Sequence, residues 1–284
     1  MTEASSIRWA FNTKEWDPSV QEWLIATSSI PLEEKERIQK FVFKADAKAS
    51  IAGCLMSRKF AHLATGEPYD KLTLVRNEAG RPYLKYAKHH LDFNVSHQGN
   101  FTVFAGEKGN DVNVGVDIVK FENKTGFELA ELFRLMKNSF TSDEWNTILR
   151  PDSEEKKSAM FFRHWCLKES YVKATGVGIC MDLQKISFKV NTESLSSERP
   201  CTDTVVEINK VDNTSWKFHE WLLDPEHCVA VALSHNDPLT TPPVPFTMLS
   251  WADLVQEAKP LLPPDMINCE LFMRKKESVR SLDA

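Results

Sequence analysis

The sequence predicts an α+β protein built as two related lobes, each an antiparallel sheet with packed helices. Two observations carry that prediction. Helical periodicity fills residues 29–65 and again 127–174, and each block is followed by short strands joined by turns, not by strands alternating with helices. Hairpin-like pairs stand at matching places in the two halves, 91–96 with 101–105 and 216–223 with 228–233. The lobes are expected at 1–120 and 121–235, with a tail at 236–284. With 284 residues and 42% hydrophobic content, the chain can bury a core without covalent staples.

Each element has a local reason. Pro31 with Glu33 and Glu34 marks a helix start, because proline needs no N–H there and carboxylates favour the positive end. That helix carries Arg37, with Ile38, Phe41 and Val42 on its apolar side. A second helix is expected over about 45–63, where Ala49, Ala52, Leu55, Met56 and Leu63 recur at helical spacing and Gly66 supplies the stop. Lys71–Val75 is short and β-prone, and Asn77–Gly80 reads as a turn. Residues 91–96 alternate apolar and polar, 98–100 turn, and Phe101–Ala105 returns. Val112, Val114, Val116 and Ile118 form one face of a third strand; Asn113, Gly115, Asp117 and Val119 form the other. Three consecutive strands imply a meander.

The second half runs in the same order. Phe127–Lys137 is amphipathic, Thr141 and Glu144 fit a capping box, and 159–174 is a long aromatic-rich helix stopped by Gly176 and Gly178. Strands are expected at 186–190, 205–208, 216–223 and 228–233. Beyond Ser234 the run Thr240–Pro245 reads as a linker, and the tail after it as an appendage.

Composition narrows the function. A formal charge of −5 disfavours a nucleic-acid partner. The six cysteines stand apart with no Cys-x-x-Cys spacing, which argues against a zinc finger or disulfide framework and for a reducing compartment. No apolar signal core opens the chain and no stretch is long enough to span a bilayer, so a cytosolic protein with no membrane partner is expected. Walker, Rossmann and Gly-x-Ser-x-Gly patterns are absent. His89-His90 is an unsupported pair in a polar loop.

Four groups of residues could do chemistry. Glu169 and Lys173, four apart, share a helix face with Trp165 and Phe162. An exposed Glu–Lys pair worth about 0.3–0.5 kcal/mol is the plain alternative, but aromatic neighbours point to partial burial. Asp117 lies in a valine-rich strand beside Gly115, whose missing side chain leaves room for a metal or phosphate; an exposed acid on a solvated face is the competing reading. Asn94 and Ser96 take the polar face of their strand. His97 is either a core histidine beside Phe93 and Val95 or, if the strand ends at Ser96, free to meet a ligand. Arg37 on the first helix, and Arg76 and Arg81 flanking the turn at Asn77–Gly80, are cations suited to paired phosphate oxygens or else simply solvated.

In combination these residues resemble one family. Gly115-Val116-Asp117, then Trp165-x-x-Lys168-Glu169-Ser170-x-x-Lys173, with Asn94-Val95-Ser96-His97-Gln98 upstream, is similar to the signature of the 4'-phosphopantetheinyl transferases, in their larger two-lobed, surfactin-synthetase-activating class. Glu33–Ile38, Phe41–Phe43 and Phe140–Trp145 add to the likeness, which covers roughly Ile7 to Ser234. The resemblance implies a pseudo-twofold fold with coenzyme A in the cleft between the lobes. It implies transfer of the phosphopantetheine arm of coenzyme A to a serine of an apo acyl- or peptidyl-carrier domain, releasing adenosine 3',5'-bisphosphate.

It also implies roles. Asp117 and Glu169 match Mg²⁺ ligands and Lys173 a pyrophosphate-binding lysine; a further expectation is that Glu169 takes the serine proton, directly or through a bound water. Arg37, Arg76, Gly80, Arg81, Asn94, Ser96 and His97, with Glu169 and Lys173, match coenzyme A-binding positions. The implied carriers are of the fatty-acid synthase, mitochondrial acyl carrier and aminoadipate reductase types, and the protein is expected as a monomer. Many relatives carry a third acid two residues after the strand aspartate. Val119 stands there in this chain, so a metal would need water or another ligand, and a carboxylate at 119 is expected to tighten metal binding.

Overall fold

The computed structural model describes residues 6–86, 90–109, 112–122, 128–178, 181–234 and 242–278. It divides into two compact units. One comprises the chain up to Leu91, Val95–Lys108 and the segment from Phe246; the other comprises Asp92–Asn94 and Gly109–Pro245.

The first unit opens with β1 (Ser6–Asn12) and α1 (Val20–Ser28). Neither was expected from the sequence. In β1, Ile7, Trp9 and Phe11 alternate with Ser6, Arg8 and Asn12, and the strand is buried on both faces from Ile7 to Phe11, where Arg8 pairs with Glu107. A reciprocal Ser19–Glu22 capping box starts α1. In α2 (Leu32–Gln39), Pro31 is the N-cap. The helix stops before Phe41 and Val42, which were expected on its apolar side; Val42 is 71% exposed. α3 (Lys44–Thr65) ends at Gly66 in the left-handed conformation that glycine adopts without strain. Its residues from Ala47 to Ala61 are buried.

A small hairpin follows, β2 (Leu74–Arg76) with β3 (Pro82–Leu84), around the turn that Gly80 closes at φ 79°. β4 (Leu91–Gln98) and β5 (Phe101–Lys108) lie side by side, and β5 pairs antiparallel with β1.

The second unit holds β6 (Asn113–Lys120), α4 (Leu129–Leu135), α5 (Ser142–Leu149) and α6 (Glu154–Thr175). It continues through β7 (Ile186–Lys189), β8 (Val205–Ile208), β9 (Val211–Asn213), β10 (Trp216–Asp224) and β11 (His227–Ser234). The expected meander does not form. β6 leaves β5 and pairs with β11, Asp117 opposite Ala230, in a sheet ordered β10-β11-β6. β6 is buried on both faces and carries apolar residues on each, Val114, Val116 and Ile118 on one and Val119 on the other. The strands β7, β8 and β9 form a separate sheet. Val119, Cys166, Leu167, Tyr171, Phe188 and Phe218 are part of the core against which α6 packs. The expected helix start at Phe127, and His89 of the histidine pair, lie outside the described residues.

The chain then returns to the first unit as β12 (Thr247–Leu249), α7 (Trp251–Val255) and α8 (Met266–Met273). This corrects the expected appendage. β12 joins β1 in parallel, giving the order β12-β1-β5-β4. Trp251 stacks on Trp16 with centroids 4.9 Å apart, and Phe272 on Trp23 at 3.5 Å. Among the described residues no helix is long and apolar enough to cross a membrane.

Candidate active site

The candidate catalytic group forms where α6 crosses β6, in the second unit. A Cβ on Gly115 would collide with the Ser170 carbonyl oxygen and the Ala174 amide nitrogen. The room that the sequence offered to a ligand is thus filled by the helix backbone. What glycine provides is a close approach, which brings the face of α6 bearing Glu169 and Lys173 to Asp117.

Lys173 Nζ lies 2.5 Å from Asp117 Oδ1, with the carboxylate side chain 8% exposed and the lysine 28%. Glu169 is half-buried. Burial, and then the negative charge of Asp117, push its carboxyl above the ordinary value, while Lys173 pulls it down. The three predicted residues are therefore one electrostatic group. A carboxylate whose ionisation is made costlier by a second one beside it suits a hard divalent cation, and Mg²⁺ needs only one or two when substrate phosphate completes its shell. Among the described residues no set of three or more His, Cys, Asp or Glu side chains forms a complete metal cage.

The neighbours of Glu169 in the motif have other tasks. Lys168 is fully buried, 2.9 Å from Glu144 Oε2, and also donates to the carbonyls of Leu183 and Ile186. Ser170 Oγ donates to the Leu167 carbonyl within the helix. Val119 shares a strand face with Asp117, as expected, but is 2% exposed within the apolar core beside Cys166 and Leu167. A glutamate there would enter that packing, so the expected gain in metal binding carries the cost of burying a carboxylate.

In the first unit, α2, α3, β2 and β4 surround a cavity of about 180 Å³ lined by Glu34, Arg37, Ser50, Cys54, Arg76 and His97 among others. A wider hollow of about 870 Å³ shares Glu34, Arg37 and Arg76 and is walled by Pro260, Leu261 and Leu262 of the returning segment. Of the predicted binding residues, Arg37, Arg76 and His97 line the cavity.

β4 continues past Ser96, so His97 stays on the Phe93–Val95 face, yet it is exposed. The core-histidine reading is thereby removed. Gly80 contributes its carbonyl, which accepts from Arg76 Nη1 at 2.6 Å. Arg81 closes the turn through its amide, which donates to Asn77 Oδ1.

Asn94 and Ser96, expected on an open polar face, are each 7% exposed. Asn94 Oδ1 accepts from the Val116 amide at 3.0 Å, and Asp92 Oδ2 from the Val114 amide at 2.6 Å, so both side chains brace β6. Asn94 thus supports the strand that carries Asp117.

Sequence reasoning read Glu34 only as a helix-start charge. Its spacing of three from Arg37 was the available signal.

The N-terminal half, residues 14–109, matches the model of a family described as 4'-phosphopantetheinyl transferase, N-terminal, and residues 113–232 match that of the 4'-phosphopantetheinyl transferase superfamily. The chain is similar to L-aminoadipate-semialdehyde dehydrogenase-phosphopantetheinyl transferase of Rattus norvegicus, 39% identical over 276 residues, covering 91% of this chain and 88% of the relative. The Homo sapiens protein of the same name is 38% identical over 274 residues, again covering 91% and 88%. A phosphopantetheinyl transferase of Thraustochytrium sp. is 33% identical over 234 residues, covering 80% and 78%.

Proposed function

The chain belongs to the 4'-phosphopantetheinyl transferase superfamily, and we propose that it moves the phosphopantetheine arm of coenzyme A onto a serine of an apo carrier domain in the cytosol. The observation that carries this reading is the convergence of Asp117, Glu169 and Lys173 at the β6–α6 contact. Carrier domains of the acyl, peptidyl and aminoadipate-reductase types are the proposed acceptors; the name of the Rattus norvegicus relative supports the last of them.

The chemistry is displacement at the phosphorus bearing the pantetheine arm. The serine oxygen forms a new P–O bond, the pyrophosphate P–O bond breaks, and adenosine 3',5'-bisphosphate leaves with the bond's electron pair. Glu169 takes the serine proton, directly or through a bound water. Lys173 passes from Asp117 to the departing phosphate oxygen, where negative charge develops. Asp117 and Glu169 would hold Mg²⁺. When bound, that ion would neutralise charge on the pyrophosphate. Arg37, Arg76 and His97 receive phosphate groups of coenzyme A, with Gly80 and Arg81 shaping the turn behind Arg76.

Intact-mass measurement of an apo-carrier domain incubated with coenzyme A and Mg²⁺ tests the reading. A gain equal to the phosphopantetheine arm is expected. Binding of coenzyme A without modification would make the protein a binder only, and cleavage of coenzyme A in the absence of carrier would make it a hydrolase.

A further inference from the structure

Glu34 stands between the two arginines of the cavity and holds both by the same edge. Arg37 Nε and Nη2 lie 3.0 and 2.7 Å from Glu34 Oε2. Arg76 Nε lies 2.5 Å from Oε1 and its Nη2 3.0 Å from Oε2. Each guanidinium has a second anchor, Ser50 Oγ at 2.7 Å from Arg37 Nη2 and the Gly80 carbonyl at 2.6 Å from Arg76 Nη1. Cys54 Sγ donates to Glu34 Oε2 at 3.1 Å. Burial opposes the charge on Glu34, but the two arginines and the thiol outweigh it and hold the carboxyl down to about 2. The Glu34 side chain is 19% exposed, against 36% for Arg37 and 33% for Arg76. Of the three charged groups the acid is the most buried, and the cations are the open ones.

A carboxylate among cations meant for phosphate has two possible consequences. It could simply cancel charge and weaken phosphate binding. Alternatively, it could fix two long, rotamer-rich side chains in advance, so that their ordering is not charged to the ligand. The geometry favours the second. Glu34 takes the Nε–Nη2 edges and leaves the Nη1 group of Arg37 outside this contact set. A phosphate that displaced Glu34 would leave a largely buried carboxylate stripped of both arginines, which is costly.

We propose that Glu34 is a positioning residue for coenzyme A binding, orienting Arg37 and Arg76 for phosphate without being displaced. This rests on the proposed function and deepens it, assigning to the acid of the cluster a part that neither spacing nor charge sign shows.

Steady-state kinetics at saturating apo-carrier, with coenzyme A varied, tests it. Glu34→Gln keeps the shape and removes the charge. It should raise KM for coenzyme A about tenfold while kcat stays within about twofold. Glu34→Asp, which restores the charge on a shorter arm, should fall between. Calorimetric titration with coenzyme A alone should show the same order, and it serves if a variant turns over too slowly.

Arg37→Met and Arg76→Met separate the outcomes. If they raise KM while Glu34→Gln leaves it unchanged or lowers it, Glu34 is a mere counter-charge and the proposal is overturned. If none of the four changes moves KM or the binding constant, the cavity does not receive coenzyme A, and the binding assignment and the proposal both fall. Should Glu34→Gln fail to fold, a Glu34→Asp protein with unaltered KM and binding overturns the proposal.

Discussion

Lys168 Nζ lies 2.9 Å from Glu144 Oε2 with neither side chain exposed to solvent, and the residue that follows Lys168 is the proposed base. Glu144 is also the N3 residue of the α5 capping box and accepts from the amides of Thr141 and Phe188. One carboxylate therefore ties together the start of α5, strand β7 and the middle of α6. Burial pushes the Lys168 ammonium down and the Glu144 carboxyl up, and each partner's charge opposes the other's shift. In a helix a lysine and the glutamate after it point about 100° apart. Anchoring Lys168 inside therefore turns Glu169 toward Asp117.

Lys168→Met should leave Glu144 buried without its cation and cost about 3–5 kcal/mol. Chemical denaturation measures this. A variant as stable as the parent would mean that the pair contributes nothing to holding α6.

Glu169→Gln should lower turnover about 100-fold or more while leaving thermal stability close to the parent's. An amide neither accepts the serine proton nor attracts a cation. Near-normal rates in the folded variant would remove Glu169 from its proposed role.

His97→Ala should weaken coenzyme A binding by about 1.5–3 kcal/mol, the loss of a charge-assisted hydrogen bond. Because His97 is exposed, the melting temperature should hardly move. A fall in stability with unchanged affinity would reverse the assignment.

Gly115→Ala should destabilise the second unit by about 1–3 kcal/mol or more, since the added carbon meets helix backbone and not a flexible side chain. Any folded fraction should also show reduced kcat, because separating α6 from β6 moves Lys173 and Glu169 away from Asp117. Wild-type kcat and stability together would show that the close approach is dispensable.

Stability should fall in mild acid through His164. This ring is buried, with Nδ1 2.8 Å from the Met160 carbonyl and Nε2 unpaired among the described residues. Burial holds its pKa near 4 against 6.5 in the unfolded chain. Its neutral form is compatible with the fold above pH 6.5. Below that the unfolded state binds the proton preferentially, and stability is lost progressively down to about 4. The full loss is on the order of 3 kcal/mol. Denaturation midpoints measured from pH 7 to 4 should show this slope in the parent and a flatter one in His164→Gln.

Much of the architecture was legible because it depends on neighbours in the chain. The capping box at Thr141 and Glu144, the glycine stops at Gly66 and Gly176, and strands such as 205–208 all follow from local periodicity and backbone preference. The pairing of Glu169 with Lys173 was legible in helical spacing, and their link to Asp117 only through the family likeness.

Contacts between distant segments had no such signature. β1 takes its partners β5 and β12 from about 90 and 240 residues along the chain, Trp9 opposite Phe104 and Thr247, and β6 pairs with β11 across more than 100 residues, Asn113 opposite Ser234. The returning segment packs Trp251 and Phe272 against Trp16 and Trp23 beyond a run that composition marks as a linker. Side-chain direction was hidden in the same way: Lys168 and Glu169 are consecutive, yet one is sealed inside and the other half-buried beside Asp117. Glu34 looked like an ordinary helix-start acid until the fold brought Arg76, 42 residues away, onto its carboxylate. Periodicity reports which face of an element is apolar; what that face meets depends on close packing among segments far apart in the chain.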